Sequence, residues 1–137
     1  FNRNVTSKTF AADFKIIKEL DLNTIRVFIG YSDFGKAHVD VNKLEKLSIL
    51  LDEAQKANLK VMITLFDFYG NYDIKNWTLT NQHLKAVVMK VSDHPALLAW
   101  DIKNEPNLDF ENRDKKRVIS LSLIPIRLCR RPTLCRC

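Results

Sequence analysis

Three apolar segments recur at nearly constant spacing, and this spacing constrains the fold more than any other feature of the sequence. Their centres are Val27, Ile63 and Trp100, which lie 36 and 37 residues apart. Each interval contains an amphipathic helical pattern, with apolar residues three and four positions apart. This repeat is typical of parallel β/α units, because parallel strands need a crossover connection. Periodicity alone permits two architectures, a doubly wound sheet or part of a closed β/α barrel.

The pattern predicts three helix–strand units before residue 114. The predicted helices run from 9 to 20, from 40 or 42 to about 58, and from 80 or 81 to 91, and the strands cover 24–29, 60–65 and 97–102. Ser7 or Thr9 is expected to cap the first helix, and Asp40 or Asn42 the second.

The third strand is predicted to be buried on both faces and to end in the polar segment Asn104-Glu105-Pro106. Proline removes a backbone donor and disfavours helix for the preceding residue, so we expect Asn104 and Glu105 to be extended. Ligands bind at this end of the strands in parallel α/β folds. The alternative is an ordinary strand end with one solvated glutamate.

The segment Asn104-Glu105-Pro106, with Ala99-Trp100-Asp101-Ile102 and Asp93-His94-Pro95 before it, resembles the Asn-Glu-Pro signature of the clan A glycoside hydrolases. The similarity is greatest to the cellulases and mannanases of glycoside hydrolase family 5, in which the motif closes strand four of a TIM barrel. The resemblance covers residues 1 to about 114. It implies an α/β fold, a partial (β/α)8 TIM barrel with strands two to four and their helices, because a complete barrel needs about 250 residues.

The resemblance also implies site residues. Glu105 would be the general acid/base, Asn104 would bond the sugar 2-hydroxyl, and Arg26, in the element Asn23-Thr24-Ile25-Arg26, would support the nucleophile. The alternative for Arg26 is a side chain that snorkels to the strand edge or pairs with a helix acid. The family's nucleophile is a glutamate that ends strand seven, which we do not find here. We therefore expect a retaining glucanase- or mannanase-like parent, and an inactive fragment.

Aromatic residues after the strands are candidates for stacking against sugar rings. The substrate-binding candidates are Trp77, Tyr69, Tyr72 and, more weakly, Tyr31 and Phe34. Phe66 and Phe68 are expected to pack beneath the loop or to bind. Many family 5 members have a histidine at 66–68, and its absence leaves glucan and mannan both open. His83 and His94 are interpreted as structural.

Charge and cysteine separate residues 115–137 from the rest. The net charge is +6, but this tail contains seven basic residues and no acid, so residues 1–114 have a net charge of −1. The body therefore gives no reason to expect a nucleic-acid or membrane partner. All three cysteines, Cys129, Cys135 and Cys137, also lie in the tail. We interpret it as non-native sequence from a shifted reading frame or as disordered; the alternative is a metal- or nucleic-acid-binding tail, although structural zinc usually takes four ligands.

The expected partner is a carbohydrate, and no cofactor or metal is predicted. A competing hypothesis is a catalytically silent half-barrel that binds sugar or self-associates through open sheet edges. A doubly wound binding domain is a weaker alternative, because no glycine-rich phosphate loop follows any strand. The chain begins at Phe1, which indicates a processed chain or a fragment. Secretion would fit the resemblance, but the cysteines do not indicate a compartment.

Overall fold

A computed structural model of the chain describes residues 4–67, 69, 73–110 and 114–120. Helices and strands alternate through this part of the chain. In order they are α1 (Ser7–Glu19), β1 (Thr24–Gly30), α2 (Val41–Lys56), β2 (Lys60–Asp67), α3 (Trp77–Val91), β3 (Leu97–Asp101) and α4 (Lys115–Ser120), with short 3-10 helices at Ile74–Asn76 and Pro106–Asp109.

The strands form one parallel sheet in the order β1-β2-β3. Val27 pairs with Ile63 and Ile63 with Trp100, so the three predicted centres lie side by side. Consecutive right-handed crossovers in one direction place α2 and α3 on the same face of the sheet. A doubly wound sheet needs a reversal of strand order, and the described sheet has none. The strand order therefore supports the predicted partial barrel.

The hydrophobic core lies between the sheet and its helices. Alternate residues of β2, Val61, Ile63 and Leu65, are fully buried there. The predicted helix stripes are confirmed, since the buried helix residues include Leu47, Leu51, Ala54, Leu84, Val87, Val88 and Val91.

No described element covers the second face of the sheet, which we call the open face. On β1 it carries Arg26 and Phe28, and 43% of Phe28 is exposed. The prediction that β3 is buried on both faces is wrong for the described chain: Leu98 is 42% exposed, and only Leu97 of this strand is buried. The strand also ends at Asp101, one residue early.

Two predicted helix starts are wrong, and side-chain hydrogen bonds explain the difference. The N-cap of α1 is Thr6, whose hydroxyl accepts from the Thr9 N–H, while the Thr9 hydroxyl accepts from the Thr6 N–H. Helix α3 begins at Trp77 because it continues directly from a 3-10 turn. Thr80 is no cap: its hydroxyl is buried and bonds the Asn76 carbonyl and the Tyr69 hydroxyl. Asp40 caps α2 as predicted.

The first six residues of the predicted tail form a helix. Asp114 accepts from the Lys116 N–H, Val118 is buried, and Arg117 pairs with Asp73 at 2.8 Å. These contacts join Lys115–Ser120 to the preceding structure. The tail cysteines lie outside the described residues, so the tail's origin stays a prediction. No helix in the described ranges is long and apolar enough to cross a membrane.

Candidate active site

The parallel strands place their carboxyl ends at one edge of the sheet. We call this edge the rim; it comprises residues 31–40 after β1, Tyr69 after β2, and residues 102–110 after β3. Asn104 and Glu105 both lie in the last of these segments. The structure therefore brings the two residues to the edge where the sequence predicted chemistry.

Glu105 is not extended, contrary to the sequence prediction. Its φ of 45° and ψ of 56° are left-handed, and it is the N-cap residue of the 3-10 helix at Pro106–Asp109. A residue before proline avoids the right-handed helical region, and the left-handed region also satisfies that restriction. Such a backbone costs a non-glycine residue about 1 to 3 kcal/mol and is frequent at functional sites. The Glu105 side chain is exposed at the rim.

Neighbouring side chains hold this turn. The Asn104 amide nitrogen donates to Glu105 Oε2 over 3.4 Å, a long hydrogen bond. Lys103 Nζ lies 3.1 Å from Asp109 Oδ2, and only 10% of the Lys103 side chain is exposed. This ion pair joins the end of β3 to the 3-10 helix after Glu105. Sequence reasoning missed it, because the two residues share no periodic spacing.

Arg26 belongs to a polar triangle that crosses all three strands on the open face. Its Nη2 pairs with Asp101 Oδ2, and its Nε donates to Thr64 Oγ1 at 2.9 Å. The Thr64 hydroxyl donates to the same Asp101 oxygen at 2.8 Å. The guanidinium also lies over the Phe28 ring, 4.7 Å from its centre. Arg26 thus pairs with a strand acid, neither snorkelling nor bonding a helix acid, and its predicted support of a nucleophile stays a prediction.

Thr64→Val is expected to destabilise the chain by about 1 to 3 kcal/mol, because a methyl group cannot satisfy Arg26 Nε and the Asp101 carboxylate. Urea unfolding followed by tryptophan fluorescence measures this. Thr24→Val, on an exposed β1 position, is the control and should change stability by less than about 0.5 kcal/mol. Equal effects of the two substitutions would contradict a stabilising role for the triangle.

Four rings pack together at the ends of β1 and β2. The Tyr31 ring centre lies 4.9 Å from that of Tyr69, 4.8 Å from that of His83 and 6.5 Å from that of Phe66. Burial raises the pKa of Tyr31, and the nearby Tyr69 adds to this. We call these residues the ring cluster.

The ring cluster changes how the predicted sugar-binding residues are interpreted. Phe66 is fully buried and packs, and Tyr69 is only 5% exposed, so neither presents an open ring face in the described chain. Phe34 is also fully buried. Trp77 and Tyr31 are partly exposed and stay candidates. Tyr72 and Phe68 lie outside the described residues.

His83 and His94 both make the internal contacts expected of structural residues. The His83 Nδ1 lies 2.6 Å from the Lys36 carbonyl oxygen. The His94 Nδ1 accepts from the Ala96 N–H, and its Nε2 lies 3.2 Å from Asp52 Oδ1. Across the described residues, no three His, Cys, Asp or Glu side chains are grouped to hold a metal ion.

Solved structures of glycoside hydrolases share this fold. A GH5_18 protein from Bifidobacterium longum subsp. infantis matches with a TM-score of 0.78 and 9% identity, over 96% of this chain and 38% of its own. A GH5_18 variant from Streptomyces cattleya, in complex with Manβ1-4GlcNAc, matches with a TM-score of 0.77 and 15% identity, over 97% of this chain and 39% of its own. The β-mannanase of the blue mussel Mytilus edulis matches with a TM-score of 0.61 and 23% identity, over 77% of this chain and 37% of its own.

The fold is therefore that of a partial TIM barrel, similar to glycoside hydrolase family 5 enzymes. The chain spans somewhat under two fifths of the length of these structures. No protein-family profile matches the sequence, and no curated protein matches it.

Proposed function

We propose that residues 1–114 supply the acid/base side of the active site of a retaining β-glycoside hydrolase. The observation that carries the proposal is the position of Asn104-Glu105-Pro106 directly after the third parallel strand of a barrel-type sheet. The similarity in fold to GH5_18 structures supports it. Glu105 is the proton donor in this proposal.

Retaining hydrolysis needs two carboxyl groups about 5 to 5.5 Å apart, an acid/base and a nucleophile. Glu105 protonates the leaving oxygen and then removes a proton from the attacking water. Asn104, beside it, is placed to bond a sugar hydroxyl. Arg26 Nη1 has no partner among the described residues and is the donor that we assign to the nucleophile.

The proposed substrate is a β-1,4-linked mannose or glucose polymer or oligosaccharide. A β-mannanase and a structure holding Manβ1-4GlcNAc are among the similar folds, so β-mannosides are the first substrates to test. Trp77 and Tyr31, partly exposed near the rim, are the proposed stacking residues.

We also propose that the 137-residue chain alone does not turn substrate over. Three strands are described, and none of them corresponds to the strand that ends in the family's nucleophile. The test is a hydrolysis assay on mannan and β-1,4-glucan, with and without Glu105→Gln. It uses this chain and the longest polypeptide that its source DNA encodes around residues 1–114.

A second candidate function is self-association, and the open face favours it. Phe28 on β1 and Leu98 on β3 are both more than 40% exposed, although both lie in strands. Each of these strands also has one backbone edge without a partner strand in the described sheet. Exposed edges and apolar faces of sheets promote association.

Sedimentation across a range of concentrations is expected to show species heavier than the 15.9 kDa monomer. Phe28→Glu should weaken association by at least about tenfold, because burying a carboxylate in an apolar interface is costly. Met89→Glu, on an exposed position of α3, is the matched control and should have no effect. A monomer at every concentration, or equal effects of both variants, would contradict self-association.

A further inference from the structure

We propose that His83 is an acid-sensitive latch that holds the segment between β1 and α2 (residues 31–40) in place at the rim. This inference concerns a conformational equilibrium of the chain, and it stands whether or not Glu105 acts on a glycoside. The segment is joined to α3 through His83, and it lies on the same edge of the sheet as Glu105.

The hydrogen bond from His83 fixes its tautomer. The Lys36 carbonyl can only accept, so His83 Nδ1 carries the proton and donates to it over 2.6 Å. In the neutral ring the other nitrogen, Nε2, is then a bare acceptor. It is fully buried and has no hydrogen-bond partner among the described residues.

Acid would disrupt this arrangement. Protonation adds both a positive charge and a second N–H at Nε2, and a buried charge without a partner is costly. Tyr31, after β1, is the titratable residue whose ring contacts His83, and Tyr69, after β2, packs against Tyr31. Both phenols are neutral in this pH range, since tyrosine titrates near pH 10. Lys36 contributes its carbonyl, so in the described surroundings no carboxylate contacts the charged ring.

Burial lowers the pKa of His83, and the hydrogen bond to the Lys36 carbonyl opposes this only in part. The sign follows from linkage. A histidine released from the cluster has a pKa of about 6.5 and binds a proton more readily than the buried one. The closed state is therefore fully favoured above that pH, and it is lost as the pH falls from there towards the lower pKa of the buried ring.

The segment that His83 holds has a backbone suited to two states. Gly35 and Lys36 have φ angles of 91° and 59°, so two consecutive residues are left-handed. Their turn is closed by local hydrogen bonds, from the Lys36 N–H to the Tyr31 carbonyl and from the Phe34 N–H to the Gly30 carbonyl. Apart from these bonds, the His83–Lys36 contact ties the turn to α3.

Amide hydrogen exchange, corrected for the intrinsic effect of pH, tests the proposal. For a released histidine with a pKa of about 6.5, opening can increase up to about tenfold from pH 7.5 to pH 5.5. We expect an increase of at least about threefold at the Phe34 and Lys36 amides. The Lys60 amide, which bonds Asn23 at the opposite edge, is the internal reference and should not change. Equal changes at all three amides would indicate global unfolding and overturn the latch.

Three variants complete the test. His83→Asn keeps a donor near the Nδ1 position and does not titrate, so the pH dependence should vanish while the segment stays protected. His83→Phe keeps the ring but loses the donor, and should open the segment at both pH values. His38→Gln, an exposed histidine in the same segment, should behave as the wild type.

NMR titration of the wild-type histidines keeps the proposal falsifiable if a variant does not fold. His83 should titrate well below the ordinary value, with the same midpoint as the opening of the segment. Titration of His83 near pH 6.5 without any change at Phe34 or Lys36 would overturn the proposal.

Discussion

Glu105→Gln is expected to lower kcat on mannan by at least about a thousandfold in the longest polypeptide encoded around residues 1–114, because a glutamine cannot donate the proton that the leaving sugar needs. The 137-residue chain is expected to give no turnover with or without the substitution. Reducing-sugar release from mannan and β-1,4-glucan measures both results.

The leaving group separates an acid/base role from general damage. A nitrophenyl β-mannoside has a good leaving group and needs little protonation, so Glu105→Gln should slow its cleavage much less than that of mannan. Glu19→Gln, at an exposed carboxylate of α1, is the matched control and should retain full activity. Equal losses on both substrates would contradict a proton-donor role. Turnover by the 137-residue chain would contradict the proposal that this chain is inactive alone.

Gly35→Ala is expected to destabilise the chain by about 2 to 4 kcal/mol. The residue has a φ of 91°, which L side chains rarely adopt, and a Cβ atom there would lie 2.5 Å from the His38 carbonyl oxygen. That oxygen belongs to the backbone, so the chain itself must move to make room. Because Gly35 lies in the turn next to Lys36, the same substitution should loosen the rim.

Urea unfolding, with Trp77 and Trp100 as fluorescent probes, gives the loss of stability. The matched control is Lys36→Gly, at the adjacent left-handed position with a φ of 59°. Glycine tolerates that backbone, so stability should change by less than about 1 kcal/mol. A Gly35→Ala protein as stable as the wild type would show that the turn adopts another conformation in solution.

The two substitutions test different levels of the molecule. Gly35→Ala concerns how the rim is built and needs no assumption about function. Glu105→Gln concerns what the rim does and leaves the fold intact, since the side chain is exposed. A stable but inactive Glu105→Gln protein is therefore the result that would support the proposed chemistry most directly.

The sequence by itself determined the alternation of strands and helices and the register of the sheet. Spacings of 36 and 37 residues predicted that Val27, Ile63 and Trp100 are equivalent, and the structure pairs them. It also determined the position of Asn104 and Glu105 after the third strand, because proline stops a strand for local steric reasons. Apolar periodicity and proline act within a few residues, so both can be read without a fold.

Tertiary structure decided the rest. It paired Arg26 with Asp101 and Thr64, joined His83 to Lys36, buried Tyr69 in a cluster, and left one face of the sheet open. Each of these contacts joins residues from different β/α units. Their partners depend on how the units pack against one another, which no local pattern encodes.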